Sequence, residues 1–153
     1  MRPTSPVLWE LRRGNPPRLP GGARAAEARY RIGWIRERIG EFEEAVEAYT
    51  AVLHRYPESE FADAAAFGRA HALYQVARRS PRDELACRNA LSALATYITQ
   101  YGGSPENLAE AEALRGRLGR TLAAMYYERA RFYDRTNRGK SALLAYGDFV
   151  RMF

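Results

Sequence analysis

The sequence predicts an all-α fold of antiparallel helix pairs, and three features of residues 30–57 support that prediction. The first is an apolar stripe with the spacing of an amphipathic helix, formed by Ala45, Val46, Tyr49, Val52 and Leu53. The second is Gly40, which lies at a corner where the chain must turn back and where a positive φ is favoured. The third is Pro57, which ends the helix because proline has no N–H to donate.

The helical pattern continues along the chain. We expect helices over residues 23–39, 41–56, 60–77, 83–101 and 105–135, with a last one from 140 onward. Small residues at Gly33 and Ala45 allow the first two helices to approach closely. Ser59 is predicted to cap the third helix, and Ser104 marks the start of the fifth. Asn137 precedes the last helix and is expected to adopt a positive φ.

Two segments differ sharply in composition. Residues 1–22 are rich in proline and arginine, and we expect them to form a disordered arm, because Pro16, Pro17 and Pro20 exclude a helix there. Residues 23–153 form the predicted helical domain. Its last helix is apolar and has no polar cap before Phe153, so we expect a domain truncated at its C-terminus.

Charge and cysteine content restrict the partners and the chemistry. The net charge is +6 and is carried almost wholly by arginine, since Lys140 is the only lysine. Arginines that alternate with glutamates favour a solvated surface over a site for acidic partners or anionic lipid. The single cysteine, Cys87, excludes an intramolecular disulfide. The sequence shows no signal peptide and no apolar run long enough to span a bilayer.

No residue pattern indicates catalysis, a metal or a cofactor, and we predict that the chain is not an enzyme. His54 and His71 are isolated on helices, without the spacing of a metal site. Cys87 lies near a helix start, which would lower its pKa, but it is more simply a small core residue.

Nucleic-acid binding is also disfavoured. The aromatic residues that lie among arginines fall at helical spacings, and no recognition motif accompanies them. They are Tyr126, Tyr127, Phe132 and Tyr133.

The first helix pair resembles a tetratricopeptide repeat (TPR), a helix–turn–helix unit of about 34 residues. The matching positions are Gly33, Gly40, Phe42, Ala45, Tyr49 and Pro57. The resemblance implies that TPR-like antiparallel helix pairs stack in a right-handed superhelix. It also implies a peptide-binding groove lined by the first helix of each pair. The corresponding positions are Glu27, Tyr30, Trp34, Glu37 and Arg38, followed in the second pair by Ala62, Ala65, Arg69 and Leu73.

An aromatic wall beside an arginine would suit a peptide with an aromatic C-terminus, whose carboxylate pairs with the arginine. The alternative is that Tyr30 and Trp34 pack on the N-terminal arm or on a neighbouring helix.

Residues 27–153 resemble the BamD family, the TPR lipoproteins of the outer-membrane β-barrel assembly machinery. The resemblance rests on RYPESEFADAA, the loop Arg78–Arg88, ALSALATYITQYGGS and the segment LRGRLGRTLAAMYYERARFYDRTNRGKSALLAYGDFV. It implies a scaffold at the periplasmic face of the outer membrane that binds unfolded barrel clients and partner POTRA domains. The signal peptide, lipid-bearing cysteine and further C-terminal helices of that family are not recognisable in this sequence. The alternative is a generic TPR adaptor of the envelope or cytoplasm.

Overall fold

A computed structural model describes residues 22–153 of the chain and confirms the all-α prediction. The helices are α1 (Gly22–Ile39), α2 (Phe42–Arg55), α3 (Ala62–Arg79), α4 (Glu84–Gln100), α5 (Pro105–Arg135) and α6 (Gly139–Met152). Each begins and ends within about two residues of its predicted bounds. Residues 1–21, which form nearly all of the predicted arm, lie outside the described residues.

The helices are arranged in two layers. Each helix packs against the next one in the chain, and α3 also contacts both α1 and α5. The odd-numbered helices therefore form one layer, and α2, α4 and α6 form the other. None of the helices of the described region is long and apolar enough to cross a membrane.

Two residues with positive φ set the turns inside the first and last helix pairs. Gly40 has φ of +86° between α1 and α2, and Asn137 has φ of 57° between α5 and α6. After Gly40, the Glu41 N–H donates to the Arg36 carbonyl at 2.9 Å, which closes the end of α1. Both residues were predicted to make these turns.

Side-chain caps form at the starts of α4 and α5 and are absent from those of α2, α3 and α6. Ser104 accepts a hydrogen bond from the Asn107 N–H at 3.2 Å, and Asp83 accepts one from the Ala86 N–H at 3.0 Å. The predicted cap at Ser59 was wrong. Its hydroxyl is buried without a hydrogen-bond partner, because a further backbone turn separates Ser59 from the start of α3 at Ala62.

Small residues fill the contacts between the layers. One buried cluster joins α2 to α3 through Ala45, Tyr49, Val52, Ala65 and Ala72. A larger cluster joins α3, α4 and α5 around Leu94, Tyr97, Leu114 and Leu118. The buried residues of α3 are all alanine or glycine, which allows this helix to pack closely against helices on both sides.

Candidate functional site

A hollow lies between α1 and α3. Its volume is about 610 Å³, within the range of ligand-binding clefts. We define the α1/α3 groove by the side chains that line it from these two helices. They are Tyr30, Trp34, Glu37 and Arg38 of α1 and Phe67, His71, Gln75 and Arg78 of α3.

Tyr49 of α2 forms the floor of the groove and separates α1 from α3. Its ring is almost completely buried and lies against Gly33 of α1 and Gly68 of α3. A Cβ atom at Gly33 would lie 2.7 Å from the Tyr49 ring, and one at Gly68 would lie 2.5 Å from it. Glycine is therefore needed on both sides of the ring, because a side chain at either position would overlap it.

A polar network crosses the floor from α2 through α1 to α3. The Tyr49 hydroxyl donates to Glu37 Oε2 at 2.9 Å, and His71 Nδ1 donates to Glu37 Oε1. Gln75 Nε2 then donates to His71 Nε2 at 3.2 Å. Glu37 and His71 are both mostly buried, so each hydrogen bond is screened from water.

Two members of this network, His71 and Tyr49, have raised pKa values. The hydrogen bond that His71 donates to the Glu37 carboxylate raises the pKa of His71 above its ordinary value of 6.5, although burial of the ring opposes the shift. Burial raises the pKa of Tyr49, and the neighbouring Glu37 carboxylate raises it further. Tyr49 therefore stays protonated and remains a hydrogen-bond donor.

Gln75 can satisfy either protonation state of His71. In the observed arrangement its amide nitrogen meets the unprotonated Nε2, while its Oε1 is buried without a partner. Rotation of the amide by half a turn would place Oε1 where a protonated Nε2–H could donate to it. The Gln75 amide can therefore pair with either charge state of His71.

Arginines and aromatic rings form the rim of the groove. The Arg38 guanidinium lies 4.7 Å from the centre of the Trp34 ring. That of Arg79 lies 4.3 Å from the centre of the Phe42 ring. Arg38 and Arg78 are absent from the ion pairs found within residues 22–153. The rim therefore offers positive charge next to aromatic surface, a combination that suits an acidic group with an apolar neighbour.

Four of the nine predicted groove positions lie together in this groove, namely Tyr30, Trp34, Glu37 and Arg38. The ring of Tyr30 also stacks on that of Phe61, which lies in the connection between α2 and α3, and the two ring centres are 5.5 Å apart. This contact agrees with the alternative interpretation, in which Tyr30 packs on a neighbouring part of the fold. Trp34 keeps 39% of its surface exposed.

The other five predicted positions lie elsewhere. Glu27 pairs with Arg31 on the surface of α1 at 3.8 Å. Arg69 lines a separate, smaller hollow between α3 and α4, and Leu73 packs against the larger core cluster. Ala62 and Ala65, given by the same repeat positions, are buried.

The sequence prediction did not include Phe67, His71, Gln75 and Arg78. The reason is that it applied the residue spacing of the first repeat to α3. The first helices of the two pairs end at Ile39 and Arg79, a separation longer than the TPR period of about 34 residues. A displacement of one or two residues turns a helical position by about 100–200°. The recurrence of Phe67, His71, Gln75 and Arg78 every three or four residues was the signal that could have found this face.

The remaining chemically active residues belong to the core or to the surface. Cys87 is fully buried, and burial raises the pKa of its thiol, as expected for a core residue. His54 is exposed at the end of α2. No group of three His, Cys, Asp or Glu residues in the described region could hold a metal ion.

The aromatic residues of α5 mostly stabilise the fold. Tyr126 is buried, and its hydroxyl donates to Glu84 of α4 at 2.6 Å. Together with Arg129 it lowers the pKa of Glu84. Tyr127 packs on Tyr146 and Phe149 of α6.

Comparison with known families identifies the first helix pair. A model described as Tetratricopeptide repeat matches residues 27–59, which cover most of α1, all of α2 and the turn between them. None of the curated proteins compared with the chain matches it. The match, the two-layered helix pairs and the glycine corner at Gly40 agree with one another. The chain is therefore a TPR-containing protein with an all-α, TPR-like fold.

Proposed function

We propose that this chain is a non-enzymatic scaffold for protein–protein interactions and that its α1/α3 groove binds a peptide segment of the partner. The observation that carries the proposal is the lining of the groove, where exposed aromatic surface adjoins two arginines without an acidic partner among the described residues. TPR repeats are protein-interaction modules, so protein or peptide partners are the expected ligands.

The charge of the groove favours a peptide that ends there. Arg38 and Arg78 approach it from two different helices, whereas the carboxylate of Glu37 is occupied by Tyr49 and His71. A free C-terminal carboxylate would pair with an arginine of the rim. An aromatic last residue would contact Trp34 and Phe67. The proposed ligand is thus a peptide with an aromatic C-terminus.

Trp34 provides a direct test because its indole lines the groove. We expect its fluorescence to change saturably when a peptide ending in phenylalanine is added. We also expect the same peptide with an amidated C-terminus to bind about 10- to 100-fold more weakly, since hydrogen bonds to a charged group contribute about 1.5–3 kcal/mol. A Trp34→Phe protein keeps only Trp9 and should lose the signal.

An arginine pair gives the matched control. Arg78→Ala should weaken binding of the free-acid peptide, whereas Arg69→Ala, on the same helix but outside the groove, should leave it unchanged. Equal binding of the acid and the amide would rule out carboxylate recognition. Absence of binding by a protein that circular dichroism shows to be helical would rule out the groove as the peptide site.

We propose further that the scaffold acts in outer-membrane β-barrel assembly, in the manner of the BamD family. Support comes from the resemblance of residues 27–153 to that family, including the long helix with Leu114, Arg115 and Leu118. The partners would then be unfolded barrel clients in the groove and POTRA domains of the barrel component elsewhere. The location would be the periplasmic face of the outer membrane, with the membrane reached only through partners or a lipid anchor.

A generic TPR adaptor of the envelope or cytoplasm is equally compatible with the repeat itself. The BamD-type function and the generic adaptor function predict different partners. Purified POTRA domains should bind the chain measurably in a calorimetric titration if it is of the BamD type, and membrane fractionation of cells should recover it with the outer membrane. Recovery with a cytoplasmic partner, without affinity for POTRA domains, would establish the adaptor.

A further inference from the structure

The outward face of α1 carries an apolar stripe that no other described helix covers. Ile32, Ile35 and Ile39 are 46%, 51% and 65% exposed, and their spacing places them on one side of the helix. Ala26 and Gly33, on the opposite side, are buried against the rest of the fold. The stripe therefore faces away from the core, at the end of the stack of helices.

The last helix has an equivalent feature at the other end of the stack. Leu143 and Val150 of α6 lie two turns apart and are each 76% exposed. Ala142 and Ala145 of the same helix are buried against α5. The two ends of the helical stack thus both present apolar side chains.

Leu143 and Val150 of α6 occupy positions that are covered in the other two helices of its layer. Ala142 of α6 aligns with Ala45 of α2 and with Ala90 of α4. In each alignment, Leu143 and Val150 match a pair of residues in the same relative positions. Those pairs are Val46 and Leu53 in α2 and Leu91 and Ile98 in α4. All four are partly buried against the core clusters that the following helix, α3 or α5, helps to form.

One residue of the α1 stripe, Ile32, likewise corresponds to a covered position of α3. When the two helices are aligned at their ends, Ile39 and Arg79, Ile32 matches Ala72 and Ala25 matches Ala65. Ala65 and Ala72 are fully buried in the cluster that joins α3 to α2. The part of α1 around Ala25 and Ile32 is therefore the surface that would receive a preceding helix of the α2 kind.

We propose that α6 of one copy of this chain packs against α1 of a second copy, repeating between molecules the contact that α2 makes with α3 and α4 makes with α5. Such a contact joins two different surfaces, so it is heterologous and produces head-to-tail oligomers. It uses the ends of the stack and leaves the α1/α3 groove open. A contact between single helices is small, so association appears only at high protein concentration.

Sedimentation of the full chain over a wide concentration range tests the association, and two variants test its polarity. Leu143→Glu with Val150→Glu blocks the α6 face, and Ile32→Glu with Ile35→Glu blocks the α1 face. Each variant alone should be monomeric. An equimolar mixture should form dimers and nothing larger, because only one intact pair of faces remains.

Leu85→Glu is the matched control, since Leu85 is 67% exposed on α4 and belongs to neither stripe; it should associate like the wild type. A second measurement does not depend on charged substitutions. A protein with Ile35→Cys and one with Leu143→Cys should form a disulfide with each other faster than either does with Leu85→Cys.

Three results would overturn the proposal. The first is a wild-type chain that stays monomeric at every concentration. The second is association of either blocked variant with itself, which would indicate an isologous contact. The third is a monomeric chain that binds anionic vesicles through Leu143 and Val150, which would assign the α6 face to a membrane surface.

Discussion

Glu37 accepts hydrogen bonds from both of the other helices that meet at the groove, from Tyr49 on α2 and from His71 on α3. A single carboxylate thus connects three helices at one point. The two residues that donate to Glu37 also differ in how their protonation responds to pH. Tyr49 stays protonated across the accessible pH range, whereas His71 gains or loses charge within it. The strength of this connection therefore depends on pH through His71.

We predict that the free energy of unfolding decreases as the pH rises from 6.5 to above the raised pKa of His71. The folded protein holds the His71 proton more tightly than the unfolded chain, so the stabilisation is complete below the unfolded pKa and is lost as pH increases through the folded one. One group gives a slope of at most about 1.4 kcal/mol per pH unit. Urea denaturation at a series of pH values measures it.

Two histidine variants provide the controls for this pH dependence. His71→Asn keeps a hydrogen-bond donor towards Glu37 but no longer titrates, so its stability should vary less across the same pH range. His54→Asn removes an exposed histidine and should retain the wild-type slope. A wild-type slope in His71→Asn would show that another group is responsible.

The roles of individual polar residues were the least predictable from the sequence. His71 and Glu37 are far apart in the chain, and nothing in their local sequence shows that α1 and α3 bring them together. Ser59 shows the same limit of local sequence, because its sequence context predicts a role that the structure does not show. It has the residue type of a helix cap, yet its hydroxyl is buried two residues before the N-cap position at Phe61.

At the scale of helices, the ring of Tyr49 keeps α1 and α3 apart while Gly33 and Gly68 allow both to touch it. We predict that Gly68→Ala lowers the free energy of unfolding by about 1–3 kcal/mol, because the new methyl group overlaps a buried ring that cannot move aside. Chemical denaturation measures the loss. Gly119→Ala on α5 should instead increase stability by about 0.5–1 kcal/mol, because its Cβ meets nothing within 4 Å.

A Tyr49→Leu variant tests whether overlap with the Tyr49 ring causes the loss of stability in Gly68→Ala. Removing the ring carries its own cost, but Gly68→Ala should then destabilise much less than it does in the wild-type protein. The difference is a coupling energy between the two positions. Additive effects of the two substitutions would contradict the explanation.

The sequence predicted the residues of α1 better than those of α3 for a physical reason. Within the first pair, Gly33, Gly40 and Tyr49 fix the rotation of α1, so Tyr30, Trp34 and Arg38 could be assigned to the groove. The rotation of α3 depends on the length of the connection after Tyr56 and on packing against two neighbours. Neither quantity is encoded by the local spacing of apolar residues.

At the scale of the whole molecule, contacts connect only helices that are near neighbours in the stack. In the described region α1 contacts α2 and α3, α6 contacts α5, and the two ends do not touch. Stability in such arrays is distributed along the stack, since each unit is held only by its neighbours. The two ends should therefore unfold independently under native conditions.

Ala142 and Ala45, buried at equivalent positions of α6 and α2, allow this independence to be tested. Ala142→Asp should reduce amide hydrogen-exchange protection in α6 and the C-terminal half of α5 by about 2 kcal/mol or more, because it buries a charge without a partner. Protection of α1 and α2 should persist. Ala45→Asp should give the reverse distribution. Uniform loss in all six helices for either variant would show a single cooperative unit.

The Tyr49 ring also determines how a partner meets this protein. Because the ring already fills the space between Gly33 and Gly68, α1 and α3 stand at their final separation before any peptide arrives. In the proposed function, binding would then include no free-energy cost for separating the two helices. The Tyr49 ring lies beneath the groove, and we expect a smaller residue at position 49 to weaken peptide binding because this support would be lost.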